Sequence, residues 1–413
     1  MDDLASRSVP RLEALTGLRF VAAAIVLVEH FPQIVPGVSE HRLAQGGAGV
    51  SLFFVLSGFV LVLNYGDALA ARPGRRGLWH YGAARVARLV PLHLVALAVV
   101  AAIVLWRGDP IGTHGAFAVI VSLAANALLL HAWVPAQVFD LWNGPAWSIS
   151  AEAFFYVCLP VLVPLVIWPL LRRRWIGRSI IVVVVVQLAA FAAVSLIAGQ
   201  ILLARGGGVE ATRLVVGRIA TIPGVRLGEF VVGCLLAAAY RPGYRAVARG
   251  GWRLLEQARW RRWILVVVVG LGAVIQLLPS CVGSSCGPDA MTATQFVDIK
   301  IFAVYVPLVT VIVAVVAWGH GSAQPFLRHP AMVRLGEASY ALYIIQWIAW
   351  LVINDRAVGP PTAMHAAAAI VCSILAALVV HAVVERPARR WVLRRLGRPT
   401  PDRTDEPAVV QGS

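Results

Sequence analysis

Apolar residues fall in long runs along nearly the whole chain, each close to the ~20 residues that a helix needs to cross a bilayer. Runs at about 15–35, 48–64, 86–106, 147–170, 179–203, 219–240, 263–279, 299–318, 333–353 and 363–384 predict membrane-spanning helices. A further apolar stretch, about 116–134, carries Asn126 and His131 and makes a poor lipid-facing crossing. The first run does not read as a cleaved leader. Glu29 and His30 stand where a small-residue cleavage site would be needed, and further spans follow directly.

Composition agrees with the pattern. Of 413 residues 59% are hydrophobic and 14% charged, and the mean hydropathy is +0.78. These values exclude soluble, disordered, collagenous and disulfide-scaffold classes. The formal net charge of +16 comes almost wholly from arginine, since Lys300 is the only lysine. No basic stretch is interleaved with stacking aromatics, so nucleic acid is not the partner this charge implies. In a membrane protein such charge sits in cytoplasmic loops beside anionic lipid.

Arginines group at Arg7 and Arg11, at Arg72, Arg75 and Arg76, at Arg172 to Arg178, from Arg241 to Arg262, and after Glu385. All of these groups fall on one side if 116–134 is re-entrant or surface-lying. The expected architecture is therefore an all-α polytopic bundle of about ten spans with both termini cytoplasmic. Residues 1–385 form its membrane domain and 386–413 a basic, disordered tail. Cys281 and Cys286, in PSCVGSSCGPD, fall outside on this topology, where a disulfide persists. Zinc lacks further ligands nearby, and no metal is expected.

Ionisable groups inside apolar segments are costly and mark candidate chemistry. The first run holds Arg19 and His30, eleven residues apart. On a helix that spacing returns to nearly one face with a rise of ~16 Å. Imidazole is the usual general base near neutral pH; the structural alternative is a snorkelling arginine and a helix-end histidine. Arg85 and Arg88 share a face at i, i+3, suited to phosphate oxygens or to anchoring at the membrane surface. Ser148 and Glu152 lie one turn apart in WSISAE, and a carboxylate there needs a partner. Arg226 and Glu229 in RLGEF are placed to neutralise one another. Glu337, Ser339, Tyr340 and Tyr343 enrich one later helix with polar groups. No Walker loop, dinucleotide fingerprint or H-E-x-x-H pair is present, so any chemistry belongs to the membrane domain.

Taken in order, these segments resemble the acyltransferase-3 family of integral-membrane acyltransferases, from about Leu15 to Pro387. The elements are Arg19 and His30 as an R-x10-H pair, FFVLSG at 53–58, RVAR at 85–88, and WSISAE with FFY at 147–156. RLGEF follows at 226–230, then SYALY at 339–343 and ERP at 385–387. The resemblance implies transfer of an acyl group, often acetyl, from cytoplasmic acyl-CoA to a hydroxyl. Acceptors in such families are cell-envelope polysaccharide, peptidoglycan, glycolipid or macrolide-type metabolite. It implies His30 as the base, with Glu152 supporting it, and Arg19, Arg85 and Arg88 on the donor side. Trp147, Ser148 and Tyr343 fall on the substrate side. Many relatives carry a histidine where Gln346 stands here, so no role passes to Gln346. The implied location is a bacterial inner membrane. A carrier or flippase for a lipid-linked sugar is the competing reading, because it too needs intramembrane charge and a cavity. Binding and turnover of acyl-CoA separate the two.

Overall fold

The structure is a computed structural model that describes residues 9–31, 47–108, 115–133, 142–204, 219–241, 305–318, 323–353 and 362–396, with a few positions between 263 and 270. Every regular element among them is helical. The helices are α1 (Val9–His30), α2 (Gly47–Ala70), α3 (Arg75–Trp106) and α4 (Ala116–Ala127). Next come α5 (Trp147–Leu162), α6 (Ile176–Ala204), α7 (Pro223–Tyr240) and α8 (Tyr305–Trp318). Last are α9 (Pro330–Glu337), α10 (Ser339–Ile353) and α11 (Ala363–Val380).

Among the described residues, six helices are long and apolar enough to cross a membrane, or seven if the bent α9–α10 pair counts as one span. The ten expected crossings are thus met in part. The run at 263–279 lies almost wholly outside the described residues, as do the start of 299–318 and the Cys281–Cys286 pair. Cys158, Cys234 and Cys372 are free. By composition α1 is not counted as a span because it carries Arg11, Glu13, Arg19 and Glu29. It runs instead through the middle of the bundle, where Ala22, Ala23 and Leu27 are almost fully buried. Outward faces elsewhere are apolar: Val157 on α5, Ile181 on α6 and Val379 on α11 are all more than half exposed, as lipid contact requires.

The stretch at 116–134 is too short to cross. α4 has 12 residues, a rise of ~18 Å against the ~30 Å hydrocarbon core. The chain then turns at Leu129, whose φ is 58°, into a short 3-10 turn at His131–Trp133. The turn is tied inward: Ser150 Oγ donates to Leu129 O at 2.5 Å, Trp142 Nε1 donates to Ser122 Oγ at 2.7 Å, and His93 Nε2 meets Asn126 O at 2.9 Å.

The tail differs from its expectation at its start. A π-turn at His381–Glu385 leads into a further helix at Arg386–Arg395. Those ten residues continue α11 because Arg386 pairs with Glu337 at 2.5 Å and Trp79 Nε1 donates to Leu396 O at 3.3 Å. Residues 397–413 lie outside the described residues.

Two crossings set the bundle. Without a hydrophobic drive between helices in lipid, close approach relies on small residues. Gly58 on α2 faces the backbone of α7 so closely that a Cβ would sit 2.1 Å from Phe230 O. Reciprocally, a Cβ on Gly233 of α7 would sit 2.0 Å from Val55 O. A second crossing brings α1 against α9, where a Cβ on Gly336 would stand 1.9 Å from Thr16 O. Beyond it the chain bends by 64° between α9 and α10.

Gly58→Ala should lower thermal stability by about 1–3 kcal/mol, the usual cost of overpacking. Gly82→Ala, where a Cβ meets nothing within 4 Å, should not. Melting of the detergent-purified variants checks this.

Candidate active site

His30 is the last residue of α1. Its Nδ1 lies 2.7 Å from Val26 O, one turn back. A carbonyl oxygen only accepts, so Nδ1 carries a proton, and in the neutral imidazole the lone pair is on Nε2. Nε2 makes no hydrogen bond among the described residues. The ring stands edge-on to Trp347 at 6.0 Å, and Trp347 stacks on Trp350 at 4.3 Å. His30 lines a cavity of about 330 Å³ with Glu29, Trp147, Arg226, Tyr343 and Trp347. The imidazole therefore faces a chamber with aromatic walls.

Arg226 enters that chamber from α7. It pairs with Glu229 at 3.3 Å, and both side chains are fully buried. Ser51 on α2 joins them, accepting from Arg226 Nη2 at 3.2 Å and donating to Glu229 Oε1 at 3.3 Å. Gln187 Nε2 adds a longer contact to Glu229 at 3.4 Å. The guanidinium lies 5.5 Å from the Phe54 ring and 5.6 Å from Trp147, so cation–π contacts on two rings reinforce the ion pair. The neutralising pair read from RLGEF is present. What the sequence reading missed is that its arginine also lines the His30 chamber.

A second, narrow cavity of about 40 Å³ abuts the first. Arg19, Phe53, Ser148, Glu152, Tyr340 and Tyr343 line it. Val50 and Tyr343 line both cavities, so the two meet at Tyr343. Its hydroxyl donates to Pro145 O at 2.8 Å and accepts from Ser148 Oγ at 2.7 Å. Glu152 Oε1 accepts from Ser57 Oγ at 2.9 Å and from Tyr156 Oη at 2.5 Å. Arg19 makes no hydrogen bond among the described residues and sits within electrostatic reach of Arg88, Glu152 and Glu385.

The candidate residues thus divide. His30, Trp147 and Tyr343 share the wide chamber; Arg19, Ser148, Glu152 and Tyr343 share the narrow one. The expected support of His30 by Glu152 is not seen. Val26 O takes Nδ1, and Glu152 is spent on Ser57 and Tyr156 beside Arg19. Arg85 and Arg88 line neither cavity. Arg85 donates to Tyr65 Oη at 2.9 Å, and its guanidinium carbon lies 4.9, 5.9 and 5.5 Å from the Tyr65, Tyr81 and Tyr156 rings. Arg88 pairs with Glu385 at 2.7 Å and lies over Tyr340 at 5.4 Å. Gln346 turns its amide to Tyr343 O at 3.1 Å on its own helix.

Two lining residues were not singled out from the sequence. Glu29 Oε2 is buried without a hydrogen-bond partner among the described residues. Its signal was a carboxylate adjacent to the histidine at the end of an apolar run. Trp347 stands one turn beyond Tyr343, a spacing that puts both on one face of α10. Among the described residues, no group of three or more His, Cys, Asp or Glu side chains is placed to hold a metal ion.

Comparison with known proteins assigns the chain to a family. Residues 12–382 match the acyltransferase-3 family of acyltransferase domains. The chain is 27% identical over 411 residues to the acyltransferase MdmB of Streptomyces mycarofaciens, covering 94% of each chain. It is 40% identical over 98 residues to protein 2 of the picA locus of Rhizobium radiobacter, covering 24% of this chain and 48% of that one. No solved structure matches. With the family match running from α1 to the π-turn after α11, this chain belongs to the acyltransferase-3 family of multi-pass membrane acyltransferases.

Proposed function

We propose that the protein is an O-acyltransferase that moves an acyl group, in the simplest case acetyl, from cytoplasmic acyl-CoA to a hydroxyl of a cell-envelope glycan, glycolipid or secondary metabolite. On this reading it resides in the bacterial inner membrane with both termini cytoplasmic. The observation that carries the proposal is the tautomer of His30. Its Nδ1 proton is held by Val26 O, and in the neutral imidazole this leaves the Nε2 lone pair for the chamber that His30 lines.

In the proposed reaction Nε2 takes the acceptor's hydroxyl proton as the oxygen attacks the thioester carbonyl. The tetrahedral intermediate then collapses, the carbon–sulfur bond breaks, and the proton on Nε2 passes to the departing thiolate. Arg226, buried against its carboxylate, is the guanidinium among the chamber's lining residues and is the group assigned to the developing oxyanion. Glu29 and Trp347 face the same space and are the acceptor-side contacts.

The donor side is argued from charge. Arg19, Arg85, Arg88 and Arg389 are linked by mutual electrostatic influence, with Glu152 and Glu385 as the carboxylates that act on them, so these six groups carry a positive surplus. Guanidinium groups in surplus suit the phosphates of CoA. From there the thioester arm reaches His30 along α1, past Arg19 and Tyr343. A cavity of about 40 Å³ holds little more than one water molecule. Entry of the arm therefore requires Phe53, Tyr340 or Tyr343 to swing aside.

His30→Ala should lower acetyl-CoA turnover by roughly 10²–10⁴, the range of a lost general base, in detergent-purified protein. Unchanged turnover would remove His30 from the mechanism, and absence of CoA binding would favour the carrier. Arg19→Ala and Arg88→Ala should raise KM for acetyl-CoA at least tenfold, read by initial rates against donor concentration. Tyr343→Phe keeps the ring but cuts its ties to Ser148 and Pro145. It should raise hydrolysis of acetyl-CoA in the absence of acceptor severalfold, measured as thiol release.

A further inference from the structure

One set of contacts runs outward from the Arg88–Glu385 pair of the donor corner to residues given no part in the reaction above. Arg88 Nη1 donates to Glu385 Oε1 at 2.7 Å. The other carboxylate oxygen, Oε2, lies 2.7 Å from His381 Nδ1. Beyond it, Arg386 Nε donates to His381 Nε2 at 3.0 Å, and Arg386 Nη2 donates to Glu337 Oε2 at 2.5 Å. The chain of contacts joins α3, the π-turn and the end of α9. Glu385 is 3% exposed, His381 12% and Arg88 14%.

Chemistry gives this line a direction. A guanidinium only donates, so His381 Nε2 must accept from Arg386 and its proton must sit on Nδ1. From Nδ1 it is donated to Glu385 Oε2. Glu385 is therefore divided, with one oxygen on Arg88 and the other on the imidazole. With Oε2 turned toward the imidazole, only Oε1 meets Arg88, in place of the parallel fork that arginine and carboxylate otherwise favour. Arg88 is fixed through a single Nη1 hydrogen bond, and its remaining N–H groups make no hydrogen bond among the described residues. The π-turn supplies the placement, since it carries His381 and Glu385 at its two ends. Such a bulge inside a helix often marks a functional position.

We infer that His381 is a positioning residue for donor binding: it holds Glu385 to a one-oxygen contact with Arg88, leaving that arginine fixed but half open for a donor phosphate. The inference rests on the donor-side reading of Arg88. It also gives a role to Glu337 and to the Glu385–Pro387 motif, which the reaction itself does not use. Glu337 anchors Arg386, Arg386 sets the imidazole's tautomer, and the tautomer sets the carboxylate. The charged groups around Arg88 are Arg19, Arg85, Arg389, Glu152 and Glu385; none of them takes the place of His381 on Oε2.

The test uses full-length protein in detergent with acetyl-CoA as the probe. KM and kcat are measured for turnover, and Kd for CoA is measured by calorimetry so that slow variants are still read. His381→Phe frees Oε2 and lets Glu385 close on Arg88, so KM and Kd should rise at least fivefold with kcat within twofold. His381→Asn keeps a donor near the Nδ1 position and should stay within twofold of wild type in all three. If His381→Phe does not yield monodisperse protein, His381→Gln replaces it with the same expectation, because its amide reaches the Nε2 position and not Nδ1. Unchanged KM and Kd in the Phe or Gln variant overturns the inference. So does an Asn variant as impaired as Phe, which would mean only packing was lost. Arg88→Ala, measured alongside, separates the two levels. If it weakens donor binding while His381→Phe does not, this inference alone fails. If Arg88→Ala is silent, the donor-side reading falls first.

Discussion

The arrangement depends on two helices touching backbone to backbone. Where Gly58 of α2 meets Phe230, and Gly233 of α7 meets Val55, no side chain separates the helices. That contact is what places Ser51 within reach of both Arg226 and Glu229. In lipid an ion pair at that depth survives only when every partner is supplied by protein. The glycines let α2 approach, α2 brings Ser51, and Ser51 helps retain a guanidinium at the wall of the His30 chamber. Loss of the crossing would leave a charge stranded in hydrocarbon as well as a misplaced helix.

A second consequence concerns how cations are kept inside an apolar bundle. Each arginine near the cavities has its own solution. Arg226 uses a carboxylate on its own helix and two aromatic faces; Arg85 uses three tyrosines; Arg88 uses a carboxylate from the last helix. Arg19 differs in having no hydrogen bond to the described residues while lining a cavity. Its partners are field effects from neighbours. An arginine held that way is the one most open to an incoming anion.

Much of this was legible in the chain itself. The helical bundle followed from hydropathy, and the ordered motifs reported the family. The eleven-residue spacing put Arg19 and His30 on one helix, and the structure keeps them there. The weak crossing at 116–134 was legible through Asn126 and His131, which now sit in a buried polar cluster. What could not be read were partnerships made across long stretches of chain. Arg88 and Glu385 are 297 residues apart, and nothing local to either names the other. Glu152 was assigned to His30 because both are rare charges in apolar runs. Its hydrogen bonds instead go to Ser57 and Tyr156, and a backbone carbonyl, invisible to any motif, orients the imidazole. The arginine-rich start of the tail looked unstructured by composition. Its helix follows from contacts to Glu337 and Trp79 on other elements.

The neck at Tyr343 has a further consequence. Arg19 and His30 stand ~16 Å apart along α1, about half of the ~30 Å hydrocarbon thickness, and each lines one of the two cavities. A continuous file of water over that distance would carry protons, and a cell that stores energy as a proton gradient cannot tolerate such a leak. Among the described residues, Val50 and Tyr343 line both cavities, and the Tyr343 hydroxyl is already committed to Ser148 and Pro145. A neck of that kind would limit such a leak at rest. On the reaction proposed above, passage of an acyl group would be a brief, substrate-driven opening with no standing pore.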